Sequence, residues 1–188
     1  FLLYFYRDPQ RTIESGIVSP ADGLVQRAEI KKGMVYFSIF MNVHNVHVNR
    51  SPFDGRVISI KHKSGGYLPA FSKDSDKNER LLTKIETSIG MMKVIQIAGV
   101  LVRRIVSYVK PNYEVAKGER IGLIHFGSRV DLSFESAGID ICVKKGDKVL
   151  AGQKLANYTP LSSLSTSEKI FEVPKRMFSK LQASQSED

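Results

Sequence analysis

The densest group of residues that could do chemistry lies between Asn42 and Arg50, where His44 and His47 are interleaved with valines. In a strand, residues three apart point to opposite faces, so these two side chains could not share a metal ion without a bulge. No further His or Cys follows at a spacing typical of zinc sites, and the chain has 1 cysteine. The sequence therefore predicts no metal site. The two imidazoles could act as acid and base near neutral pH, or they could be structural histidines in a sheet.

A second candidate group follows a hydrophobic stretch, where Gly127 and Ser128 precede Arg129 and Asp131. The Gly-x-Ser-x-Gly elbow of hydrolases is absent, because neither flanking position holds glycine. A Gly-Ser pair allows a different reaction, in which the hydroxyl of Ser128 attacks the unobstructed carbonyl of Gly127, with an ordinary turn as the alternative. Arg129 could bind a carboxylate or phosphate with two hydrogen bonds, or it could pair with Asp131.

The elements that must position these residues are predicted to be strands. The chain of 188 residues is 42% hydrophobic, which suffices for one domain with a core. Short runs rich in β-branched and aromatic residues have Gly, Pro, Asn or Asp near most of their ends, and no long window has a convincing helical period. We expect a mostly β fold with few short helices. The predicted strands cover 35–41, 57–60, 91–97, 105–109, 121–126 and 139–143.

Two internal repeats indicate that the fold is built from related hairpins. Residues 19–25 (SPADGLV) recur as 51–57 (SPFDGRV), and residues 115–121 (VAKGERI) recur as 143–149 (VKKGDKV). Each copy places a glycine at a tight turn beside an acidic residue, just before a strand. The second pair resembles the hairpins of biotinyl and lipoyl carrier domains, which implies a barrel of the barrel-sandwich hybrid type. It also raises a carrier function with Lys93 as the modified residue, the alternative being a strand with one exposed lysine.

The charge of the chain predicts an anionic partner. Lys and Arg number 28 against 19 Asp and Glu, a formal net charge of +9, which suits nucleic acid, an acidic lipid surface or an acidic substrate. Because the positive charge is scattered and no nucleic-acid motif is present, we expect no nucleic acid. The apolar run from Phe1 to Tyr6 is too short to cross a bilayer, and it is typical either of the edge of a membrane segment or of a buried strand.

Six motifs occur in an order that points to one family. They are YRDP at 6–9, SPADG at 19–23, FM at 40–41 through RSP at 50–52, NER at 78–80, QIAG at 96–99 with RRI at 103–105, and FGSRVD at 126–131. Together they resemble the short form of phosphatidylserine decarboxylase, a family that includes archaetidylserine decarboxylase-like members. The resemblance spans roughly residues 4–158.

The resemblance implies a proenzyme that cuts itself. Ser128 would attack the peptide bond after Gly127, giving a β chain of residues 1–127 and an α chain of 128–188 that begins with a pyruvoyl group made from the serine. That cofactor would form a Schiff base with the lipid's serine headgroup and accept the electrons released as carbon dioxide leaves. The chain would be a carboxy-lyase that converts phosphatidylserine to phosphatidylethanolamine. Archaetidylserine, which has the same headgroup, is the alternative substrate.

The resemblance also implies roles for individual residues. His47 would be the base for the hydroxyl of Ser128 in self-cleavage, and Asp22 would orient His47. His44 would serve decarboxylation, as proton donor or partner of the carboxylate. Arg129 stands where longer bacterial relatives have threonine, and substrate binding by Arg129 is a further hypothesis.

The domain organisation and partners follow from the same reading. We expect one decarboxylase domain over residues 1–159 and a polar, mobile tail over 160–188, where serines and mixed charges follow Pro160. The expected partners are an anionic phospholipid substrate, the membrane surface, and the β and α chains of one precursor, with a homodimer left open. We expect the protein at the cell membrane, either peripheral or anchored by a segment upstream of Phe1.

Overall fold

The computed structural model describes residues 6–65, 78–99, 104–125 and 128–160. The mostly β class is confirmed, but the few short helices are not found, since these residues contain strands and no helix. None of them therefore forms a helix that is long and apolar enough to cross a membrane. Gly127 and most of the predicted tail lie outside the described residues. The strands are β1 (Ile17–Val18), β2 (Gly23–Lys31), β3 (Met34–Met41), β4 (Val48–Arg50), β5 (Gly55–Lys63), β6 (Arg80–Thr87), β7 (Gly90–Ile97), β8 (Ile105–Ser107), β9 (Glu114–Val115), β10 (Arg120–Ile124), β11 (Ser128–Glu135), β12 (Ile139–Ile141), β13 (Lys148–Val149) and β14 (Lys154–Tyr158).

The strands form three sheets. The largest has 8 strands in the order β13-β2-β3-β11-β7-β6-β5-β9, and the other two have 3 strands each, in the orders β1-β14-β12 and β4-β10-β8. In the described part of the chain the large sheet stays open, because its end strands β13 and β9 are not paired with each other. The barrel that the sequence predicted is therefore not closed in these residues, whereas its mostly β class holds. Among the described residues, β13 pairs only with β2 and β9 pairs only with β5, so each end strand has one neighbour.

The core lies on one face of the large sheet. Along β11, Val130, Leu132 and Phe134 are buried to within 1% of full burial, and they alternate with residues on the opposite face. The ring of Phe37 on β3 stacks on that of Phe134 with their centroids 6.4 Å apart. β11 is an interior strand, because it is hydrogen bonded to β3 on one side and to β7 on the other. The position of its first residue is therefore well defined.

The sequence repeats form a duplicated structural unit. In each copy a serine turn and a glycine turn exchange two backbone hydrogen bonds of 2.7–2.9 Å. The bonds are Ser19 N to Gln153 O and Gly152 N to Ser19 O in the first copy, and Ser51 N to Glu119 O and Gly118 N to Ser51 O in the second. The predicted partner of residues 115–121 is therefore wrong, because their structural counterpart is 149–155 and not 143–149.

The segment before β1 packs against both copies of this unit. A Cβ atom at Gly118 or at Gly152 would overlap Cδ1 of Ile13, so this isoleucine fills the space that both glycines leave. Both glycines also have positive φ angles, 80° and 91°, which other residues adopt only with strain. Asp8 forms an ion pair with Arg50 at 2.7 Å. The segment is thus bound at several points to the elements that carry the histidines.

Candidate active site

Ser128 is the first residue of β11 and is fully buried. Its register partner on β3 is Met41, and strand alternation points its side chain to the core face with Val130. Among the described residues its hydroxyl oxygen has no hydrogen-bond partner. Since leaving a buried polar group without a partner costs about 1–3 kcal/mol, such a group calls for a functional explanation.

His47 is fully buried just before β4. Its Nδ1 lies 2.9 Å from the carbonyl oxygen of Asn45, and because a carbonyl can only accept, Nδ1 carries the hydrogen. Burial lowers the pKa of His47 to about 4, with smaller lowering effects from the charges of Arg7 and His125. The imidazole is therefore neutral at pH 7, with Nε2 in the proton-accepting form that a general base needs.

The backbone brings His47 to the segment that leads to Ser128. The N–H of Ile124, the last residue of β10, donates to the carbonyl of His47 at 3.2 Å. Two residues after His47, the side-chain nitrogen of Asn49 lies 3.6 Å from the sulfur of Met41, which is the register partner of Ser128. The segment of the predicted base thus contacts the register partner of the predicted nucleophile.

A buried amide pair lies beside them. Gln96 on β7 donates from Nε2 to Oδ1 of Asn49 at 2.8 Å, and both side chains are fully buried. Gln96 is the register partner of Val130, so it stands on the face of the sheet to which Ser128 points. The pair crosses 47 positions of sequence, and it ties β7 to the histidine segment.

Asp22 is buried and bound by groups other than His47. Its Oδ2 lies 2.5 Å from Nη2 of Arg11, and its Oδ1 accepts the N–H of Ala151 at 2.8 Å. The corresponding Asp54 makes the same bond to the other glycine turn, at 2.9 Å. Asp22 thus closes one copy of the duplicated unit, and the partner of Nδ1 in His47 is Asn45. The role of Asp22 in self-cleavage stays a prediction.

His44 lies in the turn after β3, exposed on the wall of a cleft. The carbonyl of His44 accepts a hydrogen bond from Arg7 at 2.6 Å. The cleft has a volume of about 460 Å³ and is lined by Gly23, Leu24, Phe40, Asn42, His44, Asn45, Lys148, Val149 and Leu150. The chain turns between His44 and His47. The two histidines therefore do not lie in one strand, as the sequence argument about opposite faces had assumed. Their separation is nevertheless real, since one is exposed in the cleft and the other is buried.

Arg129 points away from the face that holds Ser128. Its guanidinium lies against Oδ2 of Asp131, 2.9 Å from Nη2 and 3.2 Å from Nε. This is the pairing that the sequence offered as the alternative to substrate binding. Substrate binding by Arg129 stays a prediction, because its guanidinium is paired with Asp131 while its register partner Phe40 lines the neighbouring cleft.

Two further residues, His125 and Tyr6, lie next to the site. The sequence interpretation gave neither of them a role. The hydroxyl of Tyr6 lies 2.8 Å from Nδ1 of His125, and the two rings meet edge to face. Partial burial, followed by the charge of Arg104, lowers the pKa of His125. The available signal was position, because Tyr6 belongs to the YRDP motif and His125 immediately precedes the FGSRVD motif.

The other chemistries considered from the sequence do not fit the described residues. Lys93 lies inside β7, opposite Lys84 of β6, and not at a hairpin tip, so the carrier reading is not supported. Within the described ranges, no three His, Cys, Asp or Glu side chains are grouped so that they could hold a metal ion.

Comparison with known proteins decides the family. The family model described as phosphatidylserine decarboxylase matches residues 1–157. The chain belongs to this family. A putative archaetidylserine decarboxylase proenzyme from Methanococcoides burtonii is 51% identical over 156 residues, which cover 81% of this chain and 73% of that protein. Phosphatidylserine decarboxylase proenzymes from Streptomyces avermitilis and Thermobifida fusca are 48% and 49% identical, covering 80% and 81% of this chain and 71% and 70% of theirs.

The resemblance inferred from the six motifs is thereby confirmed. The phosphatidylserine decarboxylase family consists of carboxy-lyases, so the predicted enzyme class is confirmed as well. Among solved structures, the glucose permease IIA from Mycoplasma capricolum gives a TM-score of 0.45 at 16% identity, covering 74% of this chain and 92% of that one.

Proposed function

We propose that this chain is the proenzyme of a pyruvoyl-dependent decarboxylase, which converts phosphatidylserine to phosphatidylethanolamine at a membrane surface. The observation that carries the proposal is the buried hydroxyl of Ser128, which has no partner among the described residues and opens an interior strand. The neutral His47 on the neighbouring segment and the family of the chain support it. The net charge of +9 supports a negatively charged lipid surface as the place of action.

Self-cleavage uses residues of the chain itself. Nε2 of His47 takes the hydroxyl proton, and Oγ of Ser128 attacks the carbonyl carbon of Gly127. An ester forms as the C–N bond between residues 127 and 128 breaks and the freed amine gains a proton. Elimination then removes the α-proton of residue 128 to a base or to water and breaks the Cβ–Oγ bond, so the β chain leaves with a carboxylate and residue 128 becomes dehydroalanine. Water replaces its nitrogen, ammonia leaves, and a pyruvoyl group remains.

The site residues fit such a group. Ser128 is already held, fully buried, at the sheet end where the histidine segment lies. The pyruvoyl group supplies the carbonyl that accepts electrons during decarboxylation. His44, exposed in the cleft, donates the proton that replaces the lost carboxylate on the α-carbon. One histidine thus serves maturation, and the other serves turnover.

The substrate carries a serine headgroup on either of two lipid backbones. Phosphatidylserine is the proposed substrate, and archaetidylserine is a second candidate, since relatives of both names are about equally similar to this chain, at 51% and 48% identity. The headgroup is the same in both lipids, so the chemistry of the site does not separate them.

The test measures carbon dioxide from vesicles that contain either lipid, labelled in the serine carboxylate. We expect release by the wild-type protein and none by Ser128→Ala. Ser133→Ala is the matched control, because Ser133 lies on β11 but faces away from the core, and it should match the wild type. The lipid that is turned over faster identifies the backbone. Absence of release from both lipids by folded wild-type protein would contradict the proposed function.

A further inference from the structure

We propose that the cleft beside His44 receives the phosphate and glycerol portion of the lipid substrate, and that its rim of Leu24, Lys148 and Leu150 docks on the bilayer surface. The proposal rests on the proposed function and identifies which face of the molecule meets the membrane. The occupant is a glycerophospholipid whose acyl chains remain in the bilayer.

The rim exposes two large apolar side chains. Leu24 is 39% exposed and Leu150 is 52% exposed, and both line the cleft. Leucine is normally buried, and an exposed apolar patch around a cleft marks a site for an apolar partner. Leucines at such a rim insert into the boundary between headgroups and acyl chains, as they do on interfacial helices.

The sheet aligns this apolar surface with a positive charge. Leu24 on β2 is the register partner of Phe40 on one side and of Lys148 on the other. Directly opposed residues of antiparallel strands project to the same face, with their Cβ atoms about 4.5–5.5 Å apart. The row therefore runs from an aromatic ring through a leucine to an ammonium group. It offers apolar contact and a cation side by side, as the glycerol and phosphate portions of a phospholipid require.

The charges next to the rim have a net positive balance. Lys144 and Lys145 are exposed in the turn before β13, and the carboxylate of Asp147 in that turn accepts the N–H of Lys144 at 2.9 Å. The nearby Asp22 is neutralised by Arg11 at 2.5 Å. The rim thus presents more cations than free anions, which favours a phosphate and an anionic leaflet.

The cleft adjoins residues that flank the candidate active site, at the sheet end where β11 begins. Its wall includes Asn45, whose carbonyl holds Nδ1 of His47, and Asn42, which follows the register partner of Ser128. The volume of about 460 Å³ falls in the range of roughly 300–1,000 Å³ typical of small-molecule sites. It accommodates a headgroup region while the chains stay outside. A headgroup in the cleft would lie next to His44.

The first experiment measures binding without catalysis. Full-length protein is sedimented with vesicles of phosphatidylglycerol and phosphatidylcholine, neither of which has a serine headgroup. We expect Leu24→Ser and Leu150→Ser each to weaken the partition coefficient by roughly tenfold, since a leucine that no longer inserts loses its transfer free energy. Lys148→Gln should weaken it about fivefold at low salt. Ile30→Ser is the matched control, because Ile30 is also on β2 and is 50% exposed but lies outside the cleft, and it should bind as wild type.

The second experiment separates docking from chemistry. Decarboxylation is compared on phosphatidylserine vesicles and on glycerophosphoserine, which has the headgroup but no chains. The rim variants should lower the ratio of vesicle to soluble activity, and Ile30→Ser should leave the ratio unchanged. No activity on either substrate would contradict the proposed function, whereas wild-type vesicle binding and an unchanged ratio in the rim variants would overturn the docking proposal alone. A rim variant that changes the oligomeric state in gel filtration but binds vesicles normally would also overturn it, by assigning the face to a second copy of the chain.

Discussion

The burial of His47 determines the pH range in which it can act as a base. Its pKa is lowered to about 4, mainly by desolvation, so the neutral form that accepts a proton persists well below the ordinary histidine value of about 6.5. We expect the rate of self-cleavage to stay constant from pH 7.5 down to about pH 5 and to fall about tenfold per unit below pH 4. Precursor made by rapid in vitro translation and chased at each pH on denaturing gels gives this profile.

An Arg7 variant tests whether the lowered pKa of His47 determines this pH profile. An Arg7→Gln change removes a positive charge that helps to lower the pKa of His47, so the midpoint of the profile should move to higher pH. A midpoint near 6.5 in the wild type would contradict the assignment of His47 as the buried base.

The two histidines should fail in different ways when they are replaced. His47→Ala should slow self-cleavage by about 10²–10⁴-fold, the contribution of a positioned general base. His44→Ala should still cleave, because its side chain is exposed in the cleft, but it should lose decarboxylation by a similar factor. His62→Ala is the control, since His62 pairs with Glu79 at 2.8 Å on an exposed edge and should change neither rate.

Gel analysis and carbon dioxide release, measured on the same preparations, separate the two steps. An uncleaved His44→Ala protein, or a cleaved and fully active one, would overturn this division of labour.

At the residue scale the sequence identified the reactive types but not their contacts. Ser128, His44 and His47 could be proposed from motif and chemistry. The partner of Nδ1 in His47 could not, because a backbone carbonyl from Asn45 leaves no signature in side-chain type. Tyr6 and His125 were invisible as a pair, since 119 positions separate them.

At the element scale, the segment before β1 should contribute to stability through Ile13. Its side chain occupies the space left by Gly118 and Gly152. Gly118→Ala should destabilise the protein by more than 1 kcal/mol, through overlap with Ile13 and the positive φ at that position. In an Ile13→Ala background the overlap is gone, so the cost of Gly118→Ala should fall by about 1 kcal/mol.

Urea unfolding of the four proteins of this cycle, all in a Ser128→Ala background that keeps one chain, measures the coupling. Gly33→Ala is the control glycine, because it too has a positive φ, of 73°, but no atom within 4 Å of the added Cβ. Its cost should not depend on Ile13. Additive effects of Ile13→Ala and Gly118→Ala would contradict the packing described here.

The sequence repeats predicted part of the duplicated structural unit correctly and part of it wrongly. The related turns were visible as glycines beside acidic residues, and the pairing of 19–25 with 51–57 is correct. The other partner was misassigned because the turn at 143–149 also contains a glycine with positive φ, Gly146. The N–H of Gly146, however, donates to the carbonyl of Val25. Sequence similarity matches turns that share residue types. The structure matches turns that make the same backbone hydrogen bonds.

At the scale of the whole molecule, cleavage between residues 127 and 128 would leave the two chains interleaved. The α chain would contain β11, which is paired with β3 over 8 residues and with β7 over 5. It would also contain β13 and β14, which pair with β2 and β1. We expect the β and α chains to elute together in native gel filtration and to separate only in denaturant. Native fractions that contain the α chain alone would contradict this arrangement.

The sequence predicted the mostly β class of the fold, but it did not predict whether the large sheet closes into a barrel. Short runs of β-branched and aromatic residues, with turn residues near most of their ends, predicted the mostly β class, because both are local properties of the chain. The barrel inferred from hairpin similarity is not closed in the described residues, where β9 and β13 each have one neighbouring strand. No local pattern encodes this outcome, because the pairing of end strands joins residues that are distant in sequence.

The most direct test of the account is the intact mass of the purified wild-type protein under denaturing conditions. We predict two species divided between Gly127 and Ser128, the second lighter by one ammonia than a chain that begins with serine, because its first residue is a pyruvoyl group. Ser128→Ala should give one full-length species. A wild-type protein that is folded, full-length and single, or an α chain with an intact serine amino terminus, would contradict the central claim that Ser128 is the precursor of the reactive group.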